Sequence, residues 1–326
     1  MPPAPLSCLV ISDGRRGIEN QALGLAEAAA RLRPCEITPI VIEMGAAFKA
    51  ASPTLQYALK SSPSDYGIEA APPDLAIGCG RQAIAPLLAI KKSFPDCFTA
   101  YVQDPRIDPA RFDLIIAPEH DNLSGPNVET MIGSPNRIVK AEIAGRTIKV
   151  SDQLDSLPMP RAAFLIGGDS KTHKLTPAIH KTHMDIAQSV LDKGLSLLIS
   201  TSRRTPDFAK DDWDALDKSH DNIWVYSGSG PNPYISFLGG SEFIFVTEDS
   251  TNMLTEAAST GKRVYRLPMQ GKPGKFKMLY ESLEERCHIA PFSGDLTARD
   301  YEPLNETARI SEKLWAHFDA RTAVMN

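Results

Sequence analysis

Residues 246–257 read VTEDSTNMLTEA, and they join a β-prone apolar run, 243–246, to a helix. Thr247, Glu248, Asp249 and Ser250 carry turn and N-cap chemistry, Asn252 falls in the first helical turn, and Met253, Leu254 and Ala257 recur at helical spacing. Gly261 closes this helix, and Lys262 and Arg263 lead into a further strand, 264–267. A strand running straight into a helix is the building unit of a parallel sheet. Its turn leaves backbone N–H groups and the positive end of a helix dipole at the carboxyl edge of the sheet, a setting that suits a phosphate or a ribose. Serine and an acid ahead of an amphipathic helix are ordinary capping residues when taken alone. Glu256, six residues after Ser250 on the same helix, is what capping does not require.

The same unit recurs on either side. An apolar run, 6–11, is followed by Ser12, Asp13, Gly14, Arg15, Arg16 and Gly17 and a helix over 18–32, with Asn20 and Gln21 in its first turn. Strands are expected at 35–43, 75–77, 98–102 and 114–117, with helices at 55–59 and 83–94. The strand at 75–77 runs into Gly78, Cys79, Gly80, Arg81 and Gln82, and the one at 98–102 into Gln103, Asp104, Pro105 and Arg106. The strand at 114–117 ends on Pro118, Glu119, His120, Asp121 and Asn122, where His120 beside Asp121 reads first as a surface pair and second as a catalytic dyad. Parallel strands deliver their carboxyl ends to one edge, so these polar loops are expected on one rim.

The stretch 143–161, with Ser151, Asp152, Ser156, Pro158 and Pro160, turns polar and reads as an interdomain linker. Beyond it a strand at 162–166 meets Gly167, Gly168, Asp169 and Ser170 before a helix over 177–193; a strand at 195–199 meets Ser202, Arg203, Arg204 and Thr205 before a helix opened by Pro206. A strand at 223–226 and a short helix at 233–238 precede the opening stretch, and an amphipathic helix, 304–318, ends the chain. The arginine pair at a strand end offers the bidentate fit to phosphate that lysine lacks. Lys171, His173 and Lys174 add positive charge nearby, and the Gly/Pro-rich basic segment 272–277 reads as mobile or phosphate-facing.

Composition bounds the function. A chain of 326 residues is long enough for two domains, and 42% apolar with 23% charged residues is the balance of a soluble globular protein. A net charge of −5 provides no basic stripe for nucleic acid. Five cysteines without a C-x-x-C pair indicate neither a disulfide framework nor a zinc knuckle and fit a reducing cytoplasm. The N-terminal segment MPPAPLSCLVISDGRR lacks the basic n-region of a signal peptide, and no apolar run approaches 18 residues. A peripheral contact with the inner face of the membrane stays open.

Taken in order, SDGRRGIENQ (12–21), GCGRQA (78–83), QDPR (103–106), APEHD (117–121), LIGGDSK (165–171), TSRRTP (201–206), NPY (232–234) and VTEDSTNMLTEA resemble the bacterial and plant family named after a plant mitochondrial fission factor, whose bacterial members carry a glycosyltransferase label. The resemblance implies an α/β fold of two Rossmann-like doubly wound domains facing across a cleft, as in GT-B glycosyltransferases. The domains are expected at 1–158 (acceptor side) and 159–302 (donor side), with a terminal helix, 303–326, crossing back to the first. A nucleoside diphosphate sugar is then expected against Gly167, Gly168, Asp169, Ser170, Arg203, Arg204, Asp249, Ser250, Asn252 and Glu256, with Glu256 on the ribose. A glycan or lipid-linked acceptor is expected near Gly14, Arg15, Asn20, Gln21, Arg81, Gln82 and Arg106. No metal or cofactor is obligatory in this scheme, and family company points to envelope glycan synthesis. The 14–17 loop departs from the Gly-Gly-His pattern of some members of the fold, so a general base is sought in Asp13, Asp104 and His120, in that order. Two other readings compete: a nucleotide-sugar epimerase on the same fold, and a non-catalytic recruiting scaffold.

Overall fold

The computed structural model describes residues 4–69, 71–147, 151–226 and 228–325. The chain forms two compact units, Met1–Arg137 with Asn305–Asn326, and Ile138–Leu304. In the first unit the elements run β1 (Leu6–Ser12), α1 (Arg16–Leu32), β2 (Cys35–Val41), α2 (Ala46–Ala50), α3 (Pro53–Leu59), β3 (Leu75–Cys79), α4 (Ile84–Ser93), β4 (Phe98–Val102), β5 (Leu114–Pro118) and β6 (Val128–Met131). The second unit holds α5 (Lys140–Thr147), α6 (Ser151–Asp155), β7 (Arg161–Ile166), β8 (His173–Lys174), α7 (Pro177–Asp192), β9 (Ser196–Thr201), α8 (Asp207–Ser219), β10 (Ile223–Tyr226), α9 (Tyr234–Gly240), β11 (Phe243–Thr247), α10 (Thr251–Ala258), β12 (Arg263–Leu267), β13 (Gln270–Gly271), α11 (Phe276–Cys287) and β14 (Ala290–Pro291). The last helix, α12 (Glu306–Met325), returns to the first unit.

The first sheet is parallel in the order β2-β1-β3-β4-β5-β6. Side chains alternate between two buried layers: Cys8, Val10, Leu75, Ile77, Leu114 and Ile116 face α1 and α12, whereas Leu9, Ile11, Ala76, Ile115 and Ala117 face the α4 side. Burial on both faces is why these strands read as unbroken apolar runs. Helix α12 completes the first layer with Ile310, Leu314 and Trp315, and the Trp315 indole donates to the Ala29 carbonyl at 3.1 Å.

The second sheet is parallel in the order β10-β9-β7-β11-β12-β14, with β8 and β13 forming a separate antiparallel pair. Its core stacks Phe164 on Phe245 with centroids 4.5 Å apart and Phe245 on Tyr265 at 5.1 Å, and buries Trp213 of α8.

The division between units falls at residue 137, ahead of the boundary at 158 that the sequence reading gives. The polar stretch 143–161 is not wholly irregular, since α5 and α6 occupy much of it and α5 packs on α9 of the second unit. Residues 148–150 within that expected linker, residues 1–3 of the N-terminal segment and Asn326 lie outside the described residues. All five cysteines are free thiols. Among the described residues no helix is long and apolar enough to cross a membrane.

Candidate functional site

In each sheet the strand order reverses beside the first strand of the unit, and at such a point the loops leaving neighbouring strands diverge and open a crevice. In the second unit the reversal lies between β7 and β11. It therefore brings together the 167–170 loop and the VTEDSTNMLTEA turn, with the 201–205 loop of β9 alongside.

The three loops are tied by buried side chains. The Asp249 carboxylate, whose side chain is 0% exposed, sits 2.7 Å from an Arg204 guanidinium nitrogen and accepts the Gly168 N–H at 3.2 Å. Arg204 also donates to the carbonyls of Gly168 (3.1 Å) and Asp169 (3.2 Å). The Thr247 hydroxyl accepts the Gly167 N–H at 2.7 Å, and the Thr205 hydroxyl donates to the carbonyls of Ile166 and Gly167. The glycines are required by proximity: a Cβ on Gly167 would lie 2.2 Å from Asp249 Oδ1, and one on Gly168 2.0 Å from the Arg204 carbonyl oxygen.

This geometry redistributes the donor-side candidates. Gly168, Arg204 and Asp249 Oδ2 bond to one another and Gly167 bonds to Thr247 and Thr205, so the glycine N–H groups and the Arg204 charge build the turn, while Asp249 Oδ1 is buried with no hydrogen bond among the described residues. Asp169 is held below its ordinary pKa by the Lys174 ammonium at 2.8 Å and the Leu175 N–H at 3.1 Å. Ser170 closes a turn on His173, donating its N–H to the His173 carbonyl at 2.9 Å. His173 itself is buried and stacks on Phe276, so it adds no surface charge to this edge. Segment 272–277, read from sequence as one mobile or phosphate-facing stretch, passes at Phe276 into the ordered helix α11. Arg203, by contrast, is exposed and forms no ion pair among the described residues. It is the arginine of the pair that remains available to a ligand.

On α10, Ser250 is the N-cap, its side chain accepting the Met253 N–H at 3.4 Å; Asn252 stands in the first turn. Glu256 is 9% exposed and accepts the Tyr234 hydroxyl on Oε2 at 2.6 Å. Burial pushes its pKa up to about 7, and the Tyr234 hydrogen bond works against that rise. Tyr234 has no role in the sequence reading, although it ends the NPY motif; only folding carries it to a carboxylate 22 residues away.

In the first unit the reversal lies between β1 and β3. Asp13, its side chain 1% exposed, accepts Arg15 Nε at 2.8 Å and Gln82 Nε2 at 3.1 Å. Burial would raise its pKa, but the hydrogen bonds from Arg15 and Gln82 outweigh burial and hold it below the ordinary value. Gln21 accepts the Gln103 amide at 3.1 Å and donates to the Gly17 carbonyl at 3.0 Å. Gln103, at the end of β4, has φ +93°, a left-handed conformation costly for a residue with a side chain. Gly14 (φ +72°) turns the chain beside Asp13, and Asn20 lies half-buried on α1.

Other first-unit candidates are placed elsewhere. Arg81 donates to the carbonyls of Lys49, Ala50 and Ala51 and so caps the end of α2. Asp104 and Arg106 close on each other at 2.7 Å within one loop. His120 corrects the surface-pair reading, since its side chain is only 6% exposed and stands 3.9 Å from Asp121. A short 3-10 turn at Glu119–Asp121 folds it inward.

A family model described as "Mitochondrial fission ELM1" matches residues 16–318. The mitochondrial fission protein ELM1 of Arabidopsis thaliana is 27% identical over 278 residues, covering 76% of this chain and 65% of the plant protein's length. The uncharacterized protein RP120 of Rickettsia prowazekii is 27% identical over 347 residues, covering 93% and 96%. Among solved structures, the UDP-GlcNAc 2-epimerase of Methanocaldococcus jannaschii aligns over 96% of this chain and 100% of its own at 12% identity and a TM-score of 0.58. The spinosyn forosaminyltransferase SpnP aligns over 98% and 94% at 13% identity and a TM-score of 0.52. Two Rossmann-like parallel-sheet units are thus the fold this chain shares with glycosyltransferases and nucleotide-sugar epimerases.

Proposed function

The chain belongs to the Mitochondrial fission ELM1 family, and from that premise we propose that it is a glycosyltransferase whose second unit binds a nucleoside diphosphate sugar at the carboxyl edge of its sheet. The observation that carries this reading is one juxtaposition on that edge. The N-terminus of α10 follows β11, the exposed Arg203 lies in the loop after β9, and Glu256 is carried further along α10, so one edge of the second sheet supplies groups that suit the diphosphate and ribose of one ligand. The departing diphosphate gains negative charge, which a helix N-terminus favours by about 0.3–2 kcal/mol, so Arg203 must supply much of the remaining stabilisation. Glu256 accepts the ribose hydroxyls. In the first unit Asp13 is the proposed base: ionised at neutral pH and held by Arg15 and Gln82, it would exchange one of these donors for an acceptor hydroxyl. No cofactor enters the scheme, and the acceptor is a glycan or a lipid-linked sugar.

Calorimetric titration with UDP-, GDP-, ADP-, CMP- and dTDP-sugars tests the reading, alongside Arg203→Ala and Glu256→Ala. Micromolar binding of one nucleotide, about −8 kcal/mol, that both variants lose is the expected outcome. Asp13→Ala should then retain binding and lose turnover. Isomerisation of the bound sugar without an acceptor would make the protein an epimerase, and absence of all nucleotide binding would favour a recruiting scaffold.

A further inference from the structure

Tyr234 and Glu256 reach each other from two different helices. Tyr234 opens α9, where the Asn232 side chain accepts its N–H at 3.0 Å and fixes the direction in which the phenol leaves the backbone. Phe237 and Leu238, both fully buried, seat α9, with Phe237 set edge-on to Trp224 at 4.8 Å. Glu256 is flanked on α10 by buried Leu254, Thr255, Ala257 and Ala258, so its backbone cannot roll the carboxylate into solvent. The phenol then donates to Oε2 at 2.6 Å, the length of a charge-assisted bond. The other oxygen, Oε1, makes no hydrogen bond among the described residues and is not one of the buried orphan atoms, so it is the oxygen that reaches solvent.

We propose that Tyr234 is a positioning residue that holds Glu256 in one rotamer, presenting Oε1 to the vicinal 2′,3′-diol of a ribonucleoside diphosphate and thereby selecting ribo- over 2′-deoxyribonucleotides. The inference rests on the assignment of Glu256 made under Proposed function. A cis diol offers two donors to a single acceptor direction, and a 2′-deoxy sugar offers one. An untethered glutamate adapts to either ligand by rotating its three side-chain torsions; a tethered one cannot. Losing one hydrogen bond to a charged acceptor corresponds to a preference of about tenfold to a hundredfold. The phenol also favours the ionised carboxylate, so removing it should move the pH at which diol binding develops upward.

The experiment is titration of the full chain with UDP and 2′-deoxy-UDP, and with GDP and 2′-deoxy-GDP, from pH 6 to 9, using wild type, Tyr234→Phe and Glu256→Asp. The wild type should prefer the ribonucleotide by about tenfold or more. Tyr234→Phe should fold with a lowered melting temperature, since a buried oxygen loses its donor, lose the preference to within about threefold, and bind with a midpoint shifted to higher pH. Glu256→Asp withdraws the carboxylate from the phenol's reach and should lose the preference even where Tyr234→Phe fails to fold. Ribonucleotide binding with an unchanged preference and midpoint in the variants overturns the role of Tyr234 and leaves the site intact. Absence of binding by any of the four nucleotides overturns the site, and this inference with it.

Discussion

The Arg204 guanidinium and the Asp249 carboxylate meet at 2.7 Å beneath the turn that follows β7, with Asp249 fully enclosed and Arg204 42% exposed. The adjacent Arg203 is exposed and forms no ion pair among the described residues, so the two arginines stand in opposite surroundings. Arg204→Ala leaves a buried carboxylate unpaired and frees two loop carbonyls, which should cost about 2 kcal/mol after allowance for the solvent around the arginine, roughly 4–8 °C in melting temperature. Arg203→Ala should leave the melting temperature unchanged within about 1 °C and weaken nucleotide binding. Differential scanning calorimetry with titration on both variants separates the two roles. Equal melting of Arg204→Ala and wild type would remove the clamp.

The glycines above that clamp give a second expectation. Alanine at Gly168 would place a Cβ 2.0 Å from a backbone carbonyl oxygen, and at Gly167 2.2 Å from a buried carboxylate. Neither neighbour is the free end of a flexible side chain, so the turn must open, and a loss of about 3 kcal/mol or more is expected for each. Gly45→Ala, where nothing lies within 4 Å of the added carbon, should fall within about 0.5 kcal/mol of wild type. Urea unfolding of the three variants is the measurement, and similar midpoints in all three would contradict the packing described.

The fold was legible where burial on both faces of a sheet makes the strand a continuous apolar run, as in 98–102, which the structure reproduces as β4 with every residue buried; 223–226 was legible from its β-prone residues alone, since β10 lies at the edge of its sheet and is largely half-buried. Strand β6 escaped because Glu129 and Thr130 at the sheet edge break its apolar run, and β8, β13 and β14 are two residues each. Helix α11 was hidden behind the basic Gly/Pro signal that precedes it. In the candidate site the loops were legible, because polar and glycine residues cluster at strand ends. The direction of each side chain was not. Arg203 and Arg204 are indistinguishable as letters, yet one faces solvent and the other a buried carboxylate, and no local pattern pairs Tyr234 with Glu256.

Two buried titratable groups in the second unit set opposing pH slopes. Glu256 has a pKa of about 7 against an ordinary 4.5, so the folded state keeps a proton that the unfolded chain releases, and its contribution to stability falls as pH rises through that window. His183, whose Nε2 lies 2.7 Å from the Pro268 carbonyl, is driven down to about 4 from 6.5 chiefly by burial. Here the unfolded chain takes up the proton, so the contribution is present above pH 6.5 and is lost as pH falls towards 4. Each effect is on the order of 3 kcal/mol at full extent, and they offset each other where the windows overlap. Wild-type urea midpoints should therefore change little between pH 5 and 6.5, Glu256→Gln should lose stability towards acid, and His183→Gln should lose it towards alkali. Parallel profiles for both variants would remove the assignment.

Gln103 has the largest positive φ of the non-glycine residues described in the first unit, +93° at the end of β4, with its N–H donating to the Ile116 carbonyl at 2.8 Å and its amide to Gln21 at 3.1 Å. Replacement by glycine removes the side chain and the strain together, whereas alanine removes the side chain and keeps the strain. Gln103→Ala should thus be less stable than Gln103→Gly by about 1–2 kcal/mol, with the glycine variant close to wild type because the lost hydrogen bond offsets the relief. Turnover distinguishes a working amide from a merely tolerated one. If the amide orients the acceptor beside Asp13, both variants should lose rate to the same extent despite their different stabilities, with nucleotide affinity unchanged. If rate follows stability instead, the strain belongs to the fold and Gln103 has no part in the reaction.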